Sequence, residues 1–303
     1  MLQGKILGHL GALFTVTAWG TSFIFTKILM GDASLSPIEV YVYRFGLAYV
    51  LLLPFTIKKF FANNLRDELQ LLMCGMCAGS IFFILENYAL QYTTTGNVSL
   101  LSGLSPIITT AMMAFIFRFK PGLGMLIGSV IAFIGVGCVI FSHGESIEFN
   151  PLGDFLSLAS AFSWAIYAVG IKRLLPIYSS FFITRKLFFY GVLSSLPLLW
   201  ISHQPSHLDI LFGNASFILS LLFLTVVCSL LAYLVWNYAT GCLGPVATNN
   251  YIYFQPLVTM VVGYFILGEE ISLLGYIGCV LIIGGLIISD KLKVKRRVHS
   301  VTK

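Results

Sequence analysis

Residues 86–117 read ENYALQYTTTGNVSLLSGLSPIITTAMMAFIF, and residues 236–267 read WNYATGCLGPVATNNYIYFQPLVTMVVGYFIL. Each run carries Asn-Tyr-Ala from its second residue, sets a proline nineteen residues after that Asn, and closes on Phe-Ile. The same offset of 150 residues pairs Pro106 with Pro256, Thr109 with Thr259, Gly128 with Gly278 and Gly135 with Gly285. Upstream, an offset of 145 pairs Trp19 with Trp164 and Lys27 with Lys172, and a small gap brings Pro54 onto Pro197. Apolar matches arise easily by chance, so the case for a repeat rests on Trp, Asn, Pro and Lys at matching places.

The composition says what medium the repeat lives in. Of 303 residues, 58% are hydrophobic and only 10% charged, with a mean hydropathy of +0.92. A soluble domain cannot wet its surface with so little charge, so lipid must surround the excess apolar residues. A net charge of +6 would suggest nucleic acid in a soluble protein. Here the basic residues fall in short loops and the tail, so nucleic acid is not an expected partner and the lipid bilayer is. The six cysteines lie within or at the edges of apolar runs, which argues against a disulfide framework. The N-terminal run is too long for a signal peptide and carries Trp19 and Lys27, so it reads as a spanning helix.

A spanning helix needs about 20 mostly apolar residues. Ten such runs occur, near 6–29, 37–57, 69–91, 95–117, 122–142, 152–172, 180–201, 216–238, 245–267 and 272–290. The predicted fold is an all-α integral membrane protein with ten transmembrane helices in two five-helix repeats. Because five is odd, the repeats insert in opposite senses, an inverted repeat. The expected units are residues 1–145, residues 146–290 and a basic tail, 291–303. With the N-terminus inside, the inner loops hold Lys58, Lys59, Arg66, Arg118, Lys120, Lys172 and Arg173, and the outer loops hold no Lys or Arg. Both termini are therefore expected in the cytoplasm, in the cell inner (plasma) membrane.

Two oppositely inserted halves around one site can exchange shapes and open it to either side in turn, which serves a carrier. The chain also resembles the drug/metabolite transporter superfamily, most closely its bacterial EamA-type members. The resemblance rests on the ten-helix layout, Gly153-Asp154, AYLVWNYATGCLGPVA, Phe254-Gln255-Pro256 and Leu267-Gly268-Glu269-Glu270. It covers about residues 6 to 290. In the first half FRFKPGLG stands where the second has LGEEISLLG, so no acidic role passes to Arg118 or Lys120. The resemblance implies a secondary carrier, commonly an exporter, of small organic molecules such as amino acids, metabolites or toxic compounds. The coupling ion stays open, with protons one option; no enzyme activity, cofactor or metal is implied. A membrane-embedded lipid-modifying enzyme and a non-transporting scaffold or channel remain as alternatives.

Charges at membrane depth cost about 2.5–3.5 kcal/mol each on insertion scales, so each needs a reason. Glu86 reads either as a proton or cation site or as the fixed partner of an Arg or Lys. Lys27 and Arg44 read either as an outer salt-bridge cluster with Asp32 and Glu39, or as a gate or carboxylate anchor. Arg185 and Lys186 read as ordinary inner-edge basic residues. Asn87 and Asn237, recurring in both halves, are expected to bridge helices. Asn250, Tyr253 and Gln255 are expected near the path. Pro106 and Pro256 should break their helices by freeing the carbonyls of Ser102 and Ile252. Trp19, Trp164 and Tyr167 are mid-span aromatics suited to walling a cavity. His203 and His207 alone make no metal site, and Gly75/Gly79 and Gly124/Gly128 read as close helix contacts. The expected assembly is a monomer or weak dimer.

Overall fold

The computed structural model describes residues 2–31, 33, 35–57, 59–93, 95–142, 150–201, 211, 213–267 and 272–291. Among them every regular element is a helix: α1 (Leu2–Gly31), α2 (Pro37–Thr56), α3 (Leu65–Ala78), α4 (Ser80–Tyr92), α5 (Thr95–Ser102), α6 (Ser105–Phe117), α7 (Leu123–Phe141), α8 (Pro151–Leu174) and α9 (Ser180–Ile201). There follow α10 (Ala215–Phe223), a π-helical stretch (Leu224–Leu231), α11 (Ala232–Leu243), α12 (Pro245–Asn249), a 3-10 turn (Asn250–Tyr253), α13 (Phe254–Leu267) and α14 (Leu273–Lys291). In hydrocarbon no water can satisfy a backbone amide, so each crossing must close its own hydrogen bonds as a helix. Eight runs of described residues are long and apolar enough to cross a membrane: α1, α2, α3–α4, α5–α6, α7, α8, α9 and α10–α11. The jointed run α12–α13 and α14 complete ten crossings.

Local chemistry fixes where these helices start. Ser36 and Glu39 form a capping box on α2, with Pro37 in its first turn. The side chains of Asn64, Asn150 and Asn214 accept from the Asp67, Gly153 and Ser216 amides at the starts of α3, α8 and α10.

Both expected proline breaks occur. Gly103 and Leu104 separate α5 from α6 just before Pro106, and the 3-10 turn precedes Pro256. Two further breaks carry no proline. Gly79, at φ −121° and ψ −105°, divides α3 from α4, and the π-helical stretch divides α10 from α11. The offset of 150 maps Gly79 onto Ser229, inside that stretch, so the third and eighth crossings break at the same level. Gly79 is fixed by crowding: a Cβ there would collide with the Tyr41 hydroxyl of α2.

The packing reproduces the repeat. α1 lies along α11 and α13; its counterpart α8 lies along α4 and along α5 and α6. The pairs α2–α9 and α7–α14 each join an element to its own counterpart. Such twinned contacts are what a two-fold axis between halves requires. In the α7–α14 pair, Gly128 meets Gly285 while Gly135 meets Gly278, so the chains run antiparallel and the halves are inverted. Gly75 likewise faces α9, with a would-be Cβ at 2.9 Å from the Leu187 carbonyl oxygen, so these glycine contacts are made within one chain.

Candidate functional site

The centre of the bundle is aromatic. Trp19 of α1 and its repeat counterpart Trp164 of α8 meet edge to face, with ring centroids 5.4 Å apart at 86°. A residue that touches its own counterpart lies on the pseudo-two-fold axis. Trp236 closes on both, at 5.0 and 6.2 Å, and Tyr233, Tyr167 and Phe82 complete the plug. Each polar handle is held. The Trp19 indole donates to the Cys228 carbonyl at 3.0 Å, and the Trp164 indole to Asn249 Oδ1 at 2.9 Å. Tyr167 donates to Asn237 Oδ1 at 2.9 Å, and the Asn237 amide donates to Thr184 Oγ1 at 2.9 Å. The Asn249 amide donates to Thr109 Oγ1 at 2.7 Å. Rings fixed in this way fill the space where α1, α4, α8 and α11 meet.

Two charges flank the plug. Arg44 is buried, 6% exposed, with its guanidinium 4.8 Å over the Phe45 ring. Its Nε–H donates to Ser229 Oγ at 2.9 Å, so the cation rests on the π-helical break. The outer salt-bridge cluster expected for Arg44 does not form: no described carboxylate pairs with it, and Glu39 closes the α2 capping box instead. Positions five apart on a helix sit about 140° round from each other, whereas pairs three or four apart face each other. The Lys27 side chain and Asp32 lie outside the described residues.

Glu86 of α4 is half-buried and lies one turn beyond Phe82. Among the described residues it has no hydrogen bond and no ion pair, so the fixed cationic partner considered from the sequence is not there. Tyr233 lies within electrostatic reach of both Arg44 and Glu86, and its hydroxyl donates to the Ala78 carbonyl beside the Gly79 break at 3.2 Å. A buried cation, a lone carboxyl and two helix breaks thus surround one aromatic cluster. Such a set can hold a small molecule carrying a carboxylate, an amine or both, against apolar walls.

The other predicted residues divide. Asn237 bridges helices as expected, but Asn87 makes no hydrogen bond among the described residues; it lines a small cleft with Pro37, Tyr41, Ser80 and Ser195. Asn250 and Tyr253 turn toward α7 and α14: the Asn250 amide donates to Ser289 Oγ at 2.9 Å, and Tyr253 packs with Ala132, Val136 and Ile282. Gln255 is half-buried beside Pro256, and its carbonyl accepts from Thr259 at 3.1 Å. Arg185 and Lys186, expected as plain inner-edge residues, are only 2% and 4% exposed and are bonded into the protein. Ser229, Tyr233 and Tyr41 were not singled out from the sequence; only their contacts across the halves reveal them. His203, His207 and Glu269–Glu270 lie outside the described residues.

Known proteins share this fold. A solved crystal structure superimposes with a TM-score of 0.76 over 96% of this chain and 97% of its own, at 16% identity, which fixes the fold alone. An uncharacterized transporter of Archaeoglobus fulgidus is 29% identical over 282 residues, 91% of this chain and 95% of its own. A probable terminal-alkyne amino-acid exporter of Streptantibioticus cattleyicolor is 23% identical over 293 residues, 96% of this chain and 95% of its own. The model of the EamA-like transporter family matches twice, over residues 6–141 and 151–289, once on each of the oppositely inserted halves. The chain is a multi-pass membrane protein of the EamA-like transporter family.

Proposed function

We propose that this protein is a secondary active transporter that exports small organic metabolites, such as amino acids or toxic compounds, by alternating access about its aromatic centre. One observation carries the reading: Arg44 and Glu86 flank the Trp19–Trp164 contact, and neither has an opposite charge beside it among the described residues. Membrane-depth charges are costly, so their retention calls for a use. Arg44 suits a substrate carboxylate, and Glu86 suits a substrate amine or a transported proton. The Streptantibioticus relative, whose name ends in amino-acid exporter, agrees with a zwitterionic substrate. Residues 1–145 and 146–290 serve as the two exchanging units. The distribution of Lys and Arg supports a plasma-membrane protein with both termini in the cytoplasm.

Reconstitution tests this. Proteoliposomes preloaded with unlabelled amino acids should take up labelled ones transiently above equilibrium, and an imposed pH gradient should drive net accumulation. A lipid-modifying enzyme or a scaffold would accumulate nothing, and a channel would only equilibrate.

A further inference from the structure

We propose that Asp67 and Glu68 of the first half and Arg173 and Lys186 of the second form a charge latch at the basic end of the bundle, which holds that end closed at rest. The inference rests on the alternating-access reading above. Arg173 pairs with Asp67, and Lys186 pairs with Glu68. Neither carboxylate depends on its cation alone. Tyr178 donates to Asp67 Oδ2 at 2.7 Å, Tyr190 donates to Glu68, and the Ala62 amide donates to Glu68 Oε2 at 2.6 Å. Arg185, between these groups, donates to the carbonyls of Thr56 at 3.0 Å, Lys59 at 2.7 Å and Phe60 at 2.9 Å. Those bonds tie the segment after α2 to α9. Asp67 and Lys186 are 2% and 4% exposed, so each pair has one buried member and is screened by salt less than a pair of two surface charges. Burial pushes the Tyr178 phenol above its ordinary value, which keeps it a donor.

At the opposite end three of the four corresponding positions are apolar. The repeat offsets carry Asp67 onto Phe217, Glu68 onto Ile218 and Arg173 onto Ile28. That end closes on apolar contacts such as the Phe25–Phe223 pair, with centroids 4.4 Å apart. An inverted repeat by itself gives two exchangeable shapes of near-equal energy. Two ion pairs that join one half to the other weight that balance toward the shape in which this end is closed. Opening the basic end separates four partners at once, and each charge left without its partner at partial burial resists the step. The latch therefore favours closure of the basic end at rest.

Cys74 reports on it. This side chain is fully buried two turns along α3 from Asp67, with its Sγ against Gly170 of α8, so it lies behind the latch. The experiment measures the rate at which a water-soluble maleimide modifies Cys74 in the full-length protein carrying it as the single cysteine, in proteoliposomes without substrate. In the double variant Asp67→Asn with Glu68→Gln, the rate should rise roughly tenfold or more, the factor a shift of one to two kcal/mol gives. Tyr190→Phe, which deletes one hydroxyl, should raise it by a smaller factor and serves where the double variant does not fold. An unchanged rate in the folded double variant, or in Tyr190→Phe, overturns the latch. These labelling rates need no transport, so a protein with no counterflow would sink the carrier reading separately.

Discussion

The backbones of Gly128 and Gly285 meet so closely that a methyl group on either residue would collide with the carbonyl oxygen of the other. Seven residues away the contact is repeated between Gly135 and Gly278, where would-be Cβ atoms stand 2.8 and 2.7 Å from the opposing carbonyl oxygens. Two antiparallel helices related by a two-fold axis must show this crossed pattern. The fifth and tenth crossings are thereby locked as a backbone-to-backbone seam. In lipid the packing of small residues, rather than the hydrophobic effect, holds helices together.

Gly128→Ala should accordingly destabilise the protein by about 1–3 kcal/mol, the usual cost of overpacking. Gly241→Ala, on α11 with open space around it, should be neutral or stabilise by about 0.5–1 kcal/mol through helix propensity. Thermal unfolding of both variants in detergent compares them directly; equal midpoints would mean that the seam yields without strain.

Glu86→Gln keeps the shape of the side chain and removes its ability to carry a proton. Uptake driven by a pH gradient should be lost while substrate counterflow persists. If the variant still accumulates substrate with an unchanged dependence on pH, Glu86 is not the coupling group.

Arg44→Lys retains the charge but not the planar fork that grips a carboxylate and reaches Ser229. The KM for a carboxylate-bearing substrate should rise roughly tenfold, about 1.4 kcal/mol of binding. Ser229→Ala, which only frees the guanidinium to move, should raise it less. Substrates lacking a carboxylate should not distinguish these variants from the parent; a uniform loss across substrates would point to a purely structural Arg44.

Trp164→Phe leaves Asn249 Oδ1 buried without the indole donor, and should cost about 1–3 kcal/mol. Trp19→Phe frees a backbone carbonyl, that of Cys228, which lies within the π-helical break. Both should loosen the central plug, seen as faster counterflow from a less stable protein. Loss of stability with slower counterflow would argue that the rings move as a rigid unit.

Much of the architecture was legible in the chain. Lipid forces every crossing to be helical, so apolar length counted the crossings, and an odd number per repeat set their inversion. Pro106 and Pro256 announced two breaks because proline lacks the amide that a helix needs. The matching breaks at Gly79 and Leu224–Leu231 were not legible. Gly79 reads as a packing residue, and LTVVCSLL reads as an unbroken apolar helix.

The site was legible by residue type rather than by partner. Trp19, Trp164, Tyr167, Arg44 and Glu86 stood out as costly or bulky groups at membrane depth, and the structure gathers them. Asn250 and Tyr253 stood out for the same reason, yet the 3-10 turn rotates them toward α7 and α14. Arg185 and Lys186 looked ordinary because their partners lie more than a hundred residues away.

The sequence by itself determined the medium, the number of crossings and the inverted repeat, since hydropathy and periodicity are local properties that each segment carries alone. Only the tertiary structure decided which charges are paired and which are left over. Pairing depends on side-chain direction and depth across helices from both halves. For that reason Glu68 and Lys186 end as partners, while Arg44 and Glu86 face the centre with no opposite charge beside them among the described residues.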